Sequence, residues 1–232
     1  MISESQRERF ALGTYGSLVM IRESWGGALT LCCGDVNLSA GVPAAVCVAG
    51  GTCLTIGAQS GWVKSAQNEG SMDFVVTNLS EALRTLKNNV REHRPLSVGL
   101  IADAESVAKE IMERGVLPDA IIPGEKPSAA EDILSPLIEQ GAELLNLDYD
   151  GSSKALEQWL AGKNWIETIA PDAGAPELKG WNERLLEVIP EGDEVRRRWV
   201  RKAPLYLRSL RRGIRVLWLT EEERSAVGSS RG

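Results

Sequence analysis

The chain has 232 residues and a net charge of −6, with 43% hydrophobic and 25% charged residues, which are ordinary values for a globular protein. This length is enough to bury a substantial core in one large domain. No run of eighteen apolar residues occurs and the first ten residues are polar and charged, so we expect neither a membrane span nor a secretory signal.

The first half of the chain alternates short apolar runs with segments of helical pattern. Leu18, Ile21 and Trp25 have helical spacing and predict a helix over 13–25. The apolar runs predict buried strands at 28–33, 52–58, 96–102 and 118–124. The segments between them predict helices at 42–50, 79–93 and 103–115. This order indicates an α/β fold, a doubly wound and mostly parallel Rossmann-like sheet with helices on both faces.

The second half continues this pattern more loosely. It predicts a helix at 128–141, a fifth strand at 143–149 and a serine-capped helix at 152–162, followed by a loop-rich segment at 164–182. A long helix is predicted at 195–213, kinked at Pro204. A last strand at 214–220 and a disordered tail at 221–232 complete the prediction. Neither an internal repeat nor a low-complexity linker occurs. We therefore expect one domain over residues 1–232.

The four cysteines all lie within residues 32–53 and lack the CxxC spacing of zinc sites. Their apolar surroundings predict buried, reduced thiols in a cytoplasmic protein, with neither disulfides nor a metal site. The only histidine, His93, lies in a polar stretch, and we interpret it as a solvated loop residue rather than a catalytic one.

Residues 196–215 contain nine of the 26 basic residues and no acidic residue. Two interpretations remain open for this segment. In the first, the arginines pair with acidic residues of the same chain or of a second copy. In the second, they bind the phosphates of a nucleic acid or an acidic protein. We favour the first, and do not expect nucleic acid as a partner.

The segment GDVNLSAGVP, from Gly34 to Pro43, has the position of a phosphate-binding loop because it follows the first predicted strand. Gly34 suits a tight turn beside a phosphate. Asp35, however, adds a negative charge, and Val36 and Leu38 add bulk where glycines would let a phosphate approach the backbone. Asp35 or Ser39 as a helix cap is the interpretation we favour.

Several stretches together resemble the central NAD-binding domain of urocanase (urocanate hydratase). They are GTYGSLVMIRESWGG, TLCCGDVNLSAGVPAAVCVAGGTCLTIGA, NLSEALRTL and, the closest in pattern, RPLSVGLIADAESVAKEIMERGVLPDAI. The resemblance extends from about residue 13 to 220. It is best over a core at 13–124, which follows an N-terminal arm at 1–12, and it is poor over a divergent part at 125–195. The basic helix and last strand at 196–220 and a flexible tail at 221–232 complete the single domain.

The resemblance implies an enzyme that adds water to urocanate, with bound NAD⁺ as an electrophile toward the imidazole ring. The family's loop GLGGMGGAQP matches here only at Gly34 and Pro43. The acid that ends its second strand corresponds to Gly57, and the arginine soon after corresponds to Trp62. An Asn-Ala pair after the third strand corresponds to Asp103-Ala104. The 232 residues contain no counterpart of the domain that carries the family's catalytic cysteine.

We therefore expect a degenerate module that binds a nucleotide or other small molecule and lacks the catalytic domain. No cofactor is expected, although NAD would be bound if the family's function is retained. Catalytic residues cannot be named, since Asp35, Asp103 and Glu125 are best interpreted as caps or solvated acids. The expected cofactor-binding positions follow the strand ends and are Gly34, Asn37, Leu38, Ser39, Asp103 and Ala104.

Two alternatives remain. One is an NAD-dependent urocanate hydratase, a lyase, or a subunit of such an enzyme. The other is anion or nucleic-acid binding through the basic helix. The resemblance also implies self-association, as a homodimer, and five tryptophans of the second half could supply an apolar contact surface: Trp159, Trp165, Trp181, Trp199 and Trp218.

Overall fold

A computed structural model describes residues 4–34, 41–124, 134–148, 151–170 and 175–228. Its central feature is a six-stranded parallel sheet. The strands are β1 (Leu29–Cys33), β2 (Thr52–Gly57), β3 (Phe74–Val76), β4 (Leu96–Ile101), β5 (Ala120–Ile122) and β6 (Glu143–Leu144). Their order across the sheet is β3-β4-β2-β1-β5-β6. The predicted α/β, Rossmann-like fold is confirmed.

Helices connect and cover these strands. They are α1 (Glu4–Ile21), α2 (Val42–Ala49), α3 (Ser60–Asn68), α4 (Leu79–Glu92), α5 (Ala104–Glu113), α6 (134–139), α7 (Lys154–Gly162), α8 (Ala175–Val188), α9 (Glu194–Tyr206) and α10 (Glu221–Gly228), with a 3₁₀ helix at Arg208–Arg212. A second sheet pairs β7 (Ile166–Ile169) with β8 (Val216–Leu219) in antiparallel orientation.

The two faces of the parallel sheet carry side chains of different size. One face presents Thr30, Cys32, Cys53 and Thr55 to α2, and all eight residues of α2 are buried. Small side chains on both surfaces let helix and sheet approach closely, which explains the alanine-rich composition of α2. The opposite face carries larger side chains that pack against α4 and α5: Leu31, Leu54, Ile56, Val98 and Leu100.

Side-chain caps define where several helices begin. Asn78 Oδ1 accepts hydrogen bonds from the backbone N–H groups of Ser80 and Glu81 at the start of α4. Ser153 caps α7 by accepting from Leu156 N at 3.1 Å, and Asp193 caps α9 by accepting from Arg196 N at 2.9 Å. These bonds satisfy backbone donors that have no partner within the helix.

The structure corrects several predicted boundaries in the first half of the chain. The first helix begins at Glu4 rather than residue 13 and ends before Trp25. It extends further because Phe10 and Leu12, within the polar N-terminal segment, are buried in the core. Sequence patterning also missed α3 and β3, since β3 has only three residues and lies at a partly exposed edge of the sheet.

The second half departs further from prediction. The segment at 164–182 contains β7 and the first half of α8, although residues 171–174 lie outside the described part. The basic helix ends at Tyr206, two residues after Pro204, and the chain continues as the 3₁₀ helix. The last strand pairs with β7 rather than joining the parallel sheet, and the expected disordered tail forms α10 over Glu221–Gly228.

Candidate functional site

A change of direction in the chain creates a topological switch point at the carboxyl edge of the parallel sheet. From β1 the chain passes to β2 on one side, and it later returns to β5 on the other side of β1. Gly34 follows β1 and Gly124 lies shortly after β5, so both lie at this switch point. Open α/β sheets bind their ligands at such a position.

The backbones at Gly34 and Gly124 approach so closely that a side chain on either residue would crowd its neighbour. A Cβ on Gly34 would lie 3.1 Å from Gly124 Cα, and a Cβ on Gly124 would lie 3.0 Å from the carbonyl oxygen of Cys33. Gly34 also has φ of 93°, which favours glycine. Sequence reasoning selected Gly34 but missed Gly124, which it treated only as the end of a strand.

The remaining loop residues cannot be placed. Asn37, Leu38 and Ser39, together with Asp35, lie at positions 35–40 outside the described residues, as does Glu125. Asp103 and Ala104 are described and lie at the end of β4. Because β2 lies between β1 and β4, these two residues are roughly 10 Å across the sheet from the strand that leads to Gly34.

Asp103 is an exposed helix cap at this edge. Its Oδ2 accepts a hydrogen bond from Ser106 N at 2.9 Å at the start of α5. Hydrogen bonds from Ser106 stabilise the charged carboxylate and lower the pKa of Asp103 below its ordinary value. Asp103 is therefore ionised at neutral pH, with one oxygen engaged in capping. Ala104, the first residue of α5, contributes a half-buried methyl group.

The carboxyl end of β2 lies beside the switch point. Gly57 ends this strand, and α3 begins three residues later with no side-chain cap. The first turn of α3 presents Trp62, whose side chain is 40% exposed and whose indole Nε1 donates a hydrogen bond to Gln59 Oε1 at 3.1 Å. Trp62 was noted from sequence only as a replacement for an arginine. The exposure of the Trp62 side chain depends on how α3 packs against the sheet, which the sequence pattern does not show.

A polar groove of about 270 Å³ lies further along the same edge, between the start of α4 and the middle of α5. Its charged residues pair with each other, since Arg114 donates to Ser80 Oγ at 2.9 Å and also bonds Glu110. Because Arg114 and Glu110 neutralise each other, this pair leaves no net charge in the groove to attract a ligand. The groove is therefore a weaker candidate site than the switch point.

The cysteines are free and buried, as predicted. Cys32 Sγ lies 3.3 Å from Cys53 Sγ, between neighbouring strands. Burial raises the pKa of Cys32 and Cys47 far above the ordinary value and that of Cys33 to about 12. A neutral, buried thiol is a poor nucleophile and a poor metal ligand. Across the described ranges, no group of three or more His, Cys, Asp or Glu residues is placed to hold a metal ion.

The arginines of the basic helix bond extensively to their own chain. Arg196 is buried and pairs with Asp193 at 2.7 Å and with Glu223 of α10. Arg197 donates to the carbonyl oxygens of Leu186 and Ile189 at 2.8 and 2.7 Å. Beyond the helix, Arg215 bonds Glu8 Oε1 at 3.0 Å. These contacts favour internal pairing over phosphate binding as the role of the basic segment.

The tryptophans do not form the expected contact surface. Trp181, Trp199 and Trp218 are buried in the core, and Trp159 and Trp165 are half-buried and pack against each other edge to face. Burial removes Trp181, Trp199 and Trp218 from any such surface, and self-association stays a prediction. Among the residues that the structure describes, no helix has the length and apolar character needed to cross a bilayer.

The family model described as the urocanase Rossmann-like domain matches residues 12–132, more than half of the chain. The chain belongs to this family. The match runs from within α1 to beyond β5, so it includes Gly34, Trp62, Asp103 and Gly124. The second sheet and helices α7–α10 lie outside the matched residues.

The described residues of this urocanase-like domain fit NAD only in part. Gly34, directly after β1 and with φ of 93°, has the position and conformation of the glycine that makes the tight turn before a phosphate site. The end of β2, however, offers Gly57 where a dinucleotide fold usually places the carboxylate that binds a ribose hydroxyl. The described site therefore lacks this ribose contact and does not fit the whole dinucleotide.

Proposed function

We propose that this urocanase-like domain binds a nucleotide-like small molecule at the carboxyl edge of its parallel sheet. The observation that supports this most directly is the close approach of Gly34 and Gly124 at the switch point, where a Cβ on either residue would crowd the neighbouring backbone. Glycines at these two positions allow the tight turns that bring a ligand close to the main chain at the strand ends, as phosphate sites require. Gly34 N itself is bonded to Ile56 O at 2.9 Å. Asp103 adds a negative charge at the same edge for a hydroxyl or an amine.

Binding without hydratase chemistry agrees best with the chemical groups at this edge. Asp103 is ionised and engaged as a cap, so it is poorly suited to act as a general acid at neutral pH. The thiol of Cys33, nearest to the switch point in sequence, is buried and has a raised pKa. The alternative is hydro-lyase activity toward urocanate with NAD⁺, which the family membership favours.

A thermal-shift screen with NAD⁺, NADP⁺, ATP and urocanate tests the proposal. A ligand present at about 100 times its Kd stabilises the native state by about 2.7 kcal/mol, which raises the Tm measurably. We expect at least one nucleotide to raise the Tm and urocanate to remain unconsumed. Consumption of urocanate in the presence of NAD⁺ would establish the alternative instead.

Two matched glycine variants locate the site. In Gly124→Ala the new methyl group crowds Cys33 and Gly34, whereas a Cβ on Gly162 in α7 would have no neighbour within 4 Å. We expect Gly124→Ala to reduce the ligand-induced shift in Tm and Gly162→Ala to preserve it. The proposal fails if no nucleotide raises the Tm of the wild-type protein, and the site lies elsewhere if Gly124→Ala responds like the wild type.

A further inference from the structure

Trp62 lies at the same carboxyl edge of the sheet as the proposed site, after the end of the strand that neighbours β1. Cys33 in β1 is paired with Ile56 in β2, and Gly34 N donates a hydrogen bond to Ile56 O at 2.9 Å. The end of β2 therefore adjoins Gly34 at the switch point. Trp62 follows five residues after Gly57, in the first turn of α3, and this turn borders the same edge of the sheet.

Trp62 differs from the other tryptophans in its exposure. All seven tryptophans lie in described parts of the chain, and Trp62 is the only exposed one, with 40% of its side chain accessible. A large apolar side chain gains free energy when it is covered. The fold covers or half-covers the six other indoles with its own residues and leaves this one accessible at the edge where ligands bind.

The indole makes a hydrogen bond within its own turn. Its Nε1 donates to Gln59 Oε1 at 3.1 Å, so the polar edge of the ring is satisfied within the same turn. Gly61, the preceding residue, is in open surroundings, since a Cβ there would meet nothing within 4 Å. An exposed aromatic ring whose polar edge is already hydrogen-bonded can receive a second planar ring on its apolar face.

We propose that Trp62 stacks on a planar aromatic or heteroaromatic ring of the ligand, and that ring stacking replaces recognition of a ribose diol at the end of β2. This inference rests on the proposed function and specifies the class of ligand. The missing carboxylate at Gly57 removes the usual hydroxyl contact, and the exposed indole supplies a contact that any flat ring satisfies.

The test compares two probes that differ by a ring. Adenosine 5′-monophosphate and ribose 5-phosphate share the sugar and the phosphate, and only the first carries a base. Isothermal titration calorimetry of the full chain gives Kd for each probe. Because stacking of a base on an aromatic side chain contributes about 1–3 kcal/mol, we expect the wild-type protein to bind the monophosphate at least about fivefold more tightly.

Three variants assign the difference to Trp62. Trp62→Ala is expected to bind both probes with similar Kd, and Trp62→Phe to keep most of the preference because phenylalanine also stacks. Phe74→Ala is the matched control, since Phe74 is 53% exposed but begins β3 at the opposite, amino end of the strand. Circular dichroism and Tm of each variant verify that the fold is intact.

The outcomes separate this inference from the function on which it rests. If nucleotides bind in a manner sensitive to Gly124→Ala but Trp62→Ala leaves the preference for the ring unchanged, the role of Trp62 is wrong and the proposed function stands. A wild-type protein that binds both probes equally also overturns the role of Trp62. If the wild type binds none of the nucleotides tested, both proposals fail.

Discussion

Asp103 combines a structural role with a place at the proposed site. Its carboxylate caps α5 through Ser106 N, and the same hydrogen bonds lower its pKa. Asparagine caps helices about as well as aspartate, whereas alanine cannot accept the hydrogen bond. The two substitutions therefore separate capping from charge. Sequence reasoning named both roles for Asp103, and the structure shows the first directly.

We expect Asp103→Ala to lower the Tm at neutral pH and Asp103→Asn to leave it nearly unchanged. Because the folded-state pKa lies below the unfolded value, this carboxylate stabilises the fold above its unfolded pKa, near 4, and loses that effect as the pH falls through the folded pKa. Asp103→Asn should thus show a weaker loss of Tm on acidification. Equal Tm values for the alanine and asparagine variants would contradict the capping role.

The buried thiols give a second prediction at this scale. Burial makes all four thiols inaccessible and also keeps Cys32, Cys33 and Cys47 neutral, so a thiol-reactive aromatic disulfide should label none of the four cysteines quickly in the native protein at neutral pH. In denaturant all four should react, and the ratio of the two rates reports the opening of the core. A cysteine that reacts rapidly under native conditions would mean that the α2 face of the sheet is accessible.

At the scale of elements, the sequence predicted best where apolar runs and caps occur together. The strands β1, β2 and β4 and the helices α4 and α7 lie within two residues of their predicted bounds, since each has a continuous apolar run or a side-chain cap. Short β3 and β7 were missed because β3 has three residues and β7 is largely exposed, so neither gives an apolar run. The strand β8 was predicted, and only its antiparallel pairing with β7 was missed.

The two glycines at the switch point show which part of the candidate site could be predicted from the sequence and which part could not. Gly34 follows an obvious strand, and its position in a turn was predictable from sequence. The contact between Gly34 and Gly124 depends on β5 lying beside β1, which is a property of strand order. The exposure of Trp62 likewise depends on how α3 packs against the sheet through Val63 and Ala66. Pairing between distant residues could not be derived from local patterns.

The buried side chain of Arg196 connects α9 with α10 and with the ring of Trp165. It bonds Asp193 at the start of α9 and Glu223 in α10, and its guanidinium lies 4.5 Å from the ring centre of Trp165. Removing one partner of a buried ion pair leaves an unpaired charge and costs about 3–5 kcal/mol. We expect Arg196→Ala to lower the free energy of unfolding in urea by about this amount. Arg201→Ala, in the exposed face of the same helix, is the control.

The pH dependence of this variant follows from Glu223. Burial alone would raise the pKa of Glu223, but the hydrogen bonds from Arg196 and Thr220 outweigh it and hold the pKa below its ordinary value. Wild-type stability from this pair is therefore present above the unfolded pKa of Glu223 and declines as the pH falls below it. Arg196→Ala should lose most of this acid-dependent decline. A variant that unfolds like the wild type would show that the pair contributes nothing net.

Across the whole molecule, the second half of the chain completes the core of the first. One hydrophobic cluster includes Leu12 of α1, Val46 of α2, Trp199 of α9 and Trp218 of β8. The indole of Trp218 also occupies the space beside Gly16, where a side chain would collide with it. The family match ends at residue 132, yet the outer surface of α1 and α2 is covered by elements beyond that residue.

A fragment of residues 1–132 should therefore fail to fold cooperatively, although it contains the whole matched region. Removing α9 and β8 exposes apolar side chains of α1 and α2 that the full chain buries, and it also removes Arg215, the partner of fully buried Glu8. We expect the fragment to bind a hydrophobic dye, to lose near-ultraviolet circular dichroism and to show no sharp thermal transition, while the full chain unfolds cooperatively under the same conditions. A fragment with a sharp transition and native near-ultraviolet signals would mean that the matched region is an autonomous domain and that the second half only decorates it.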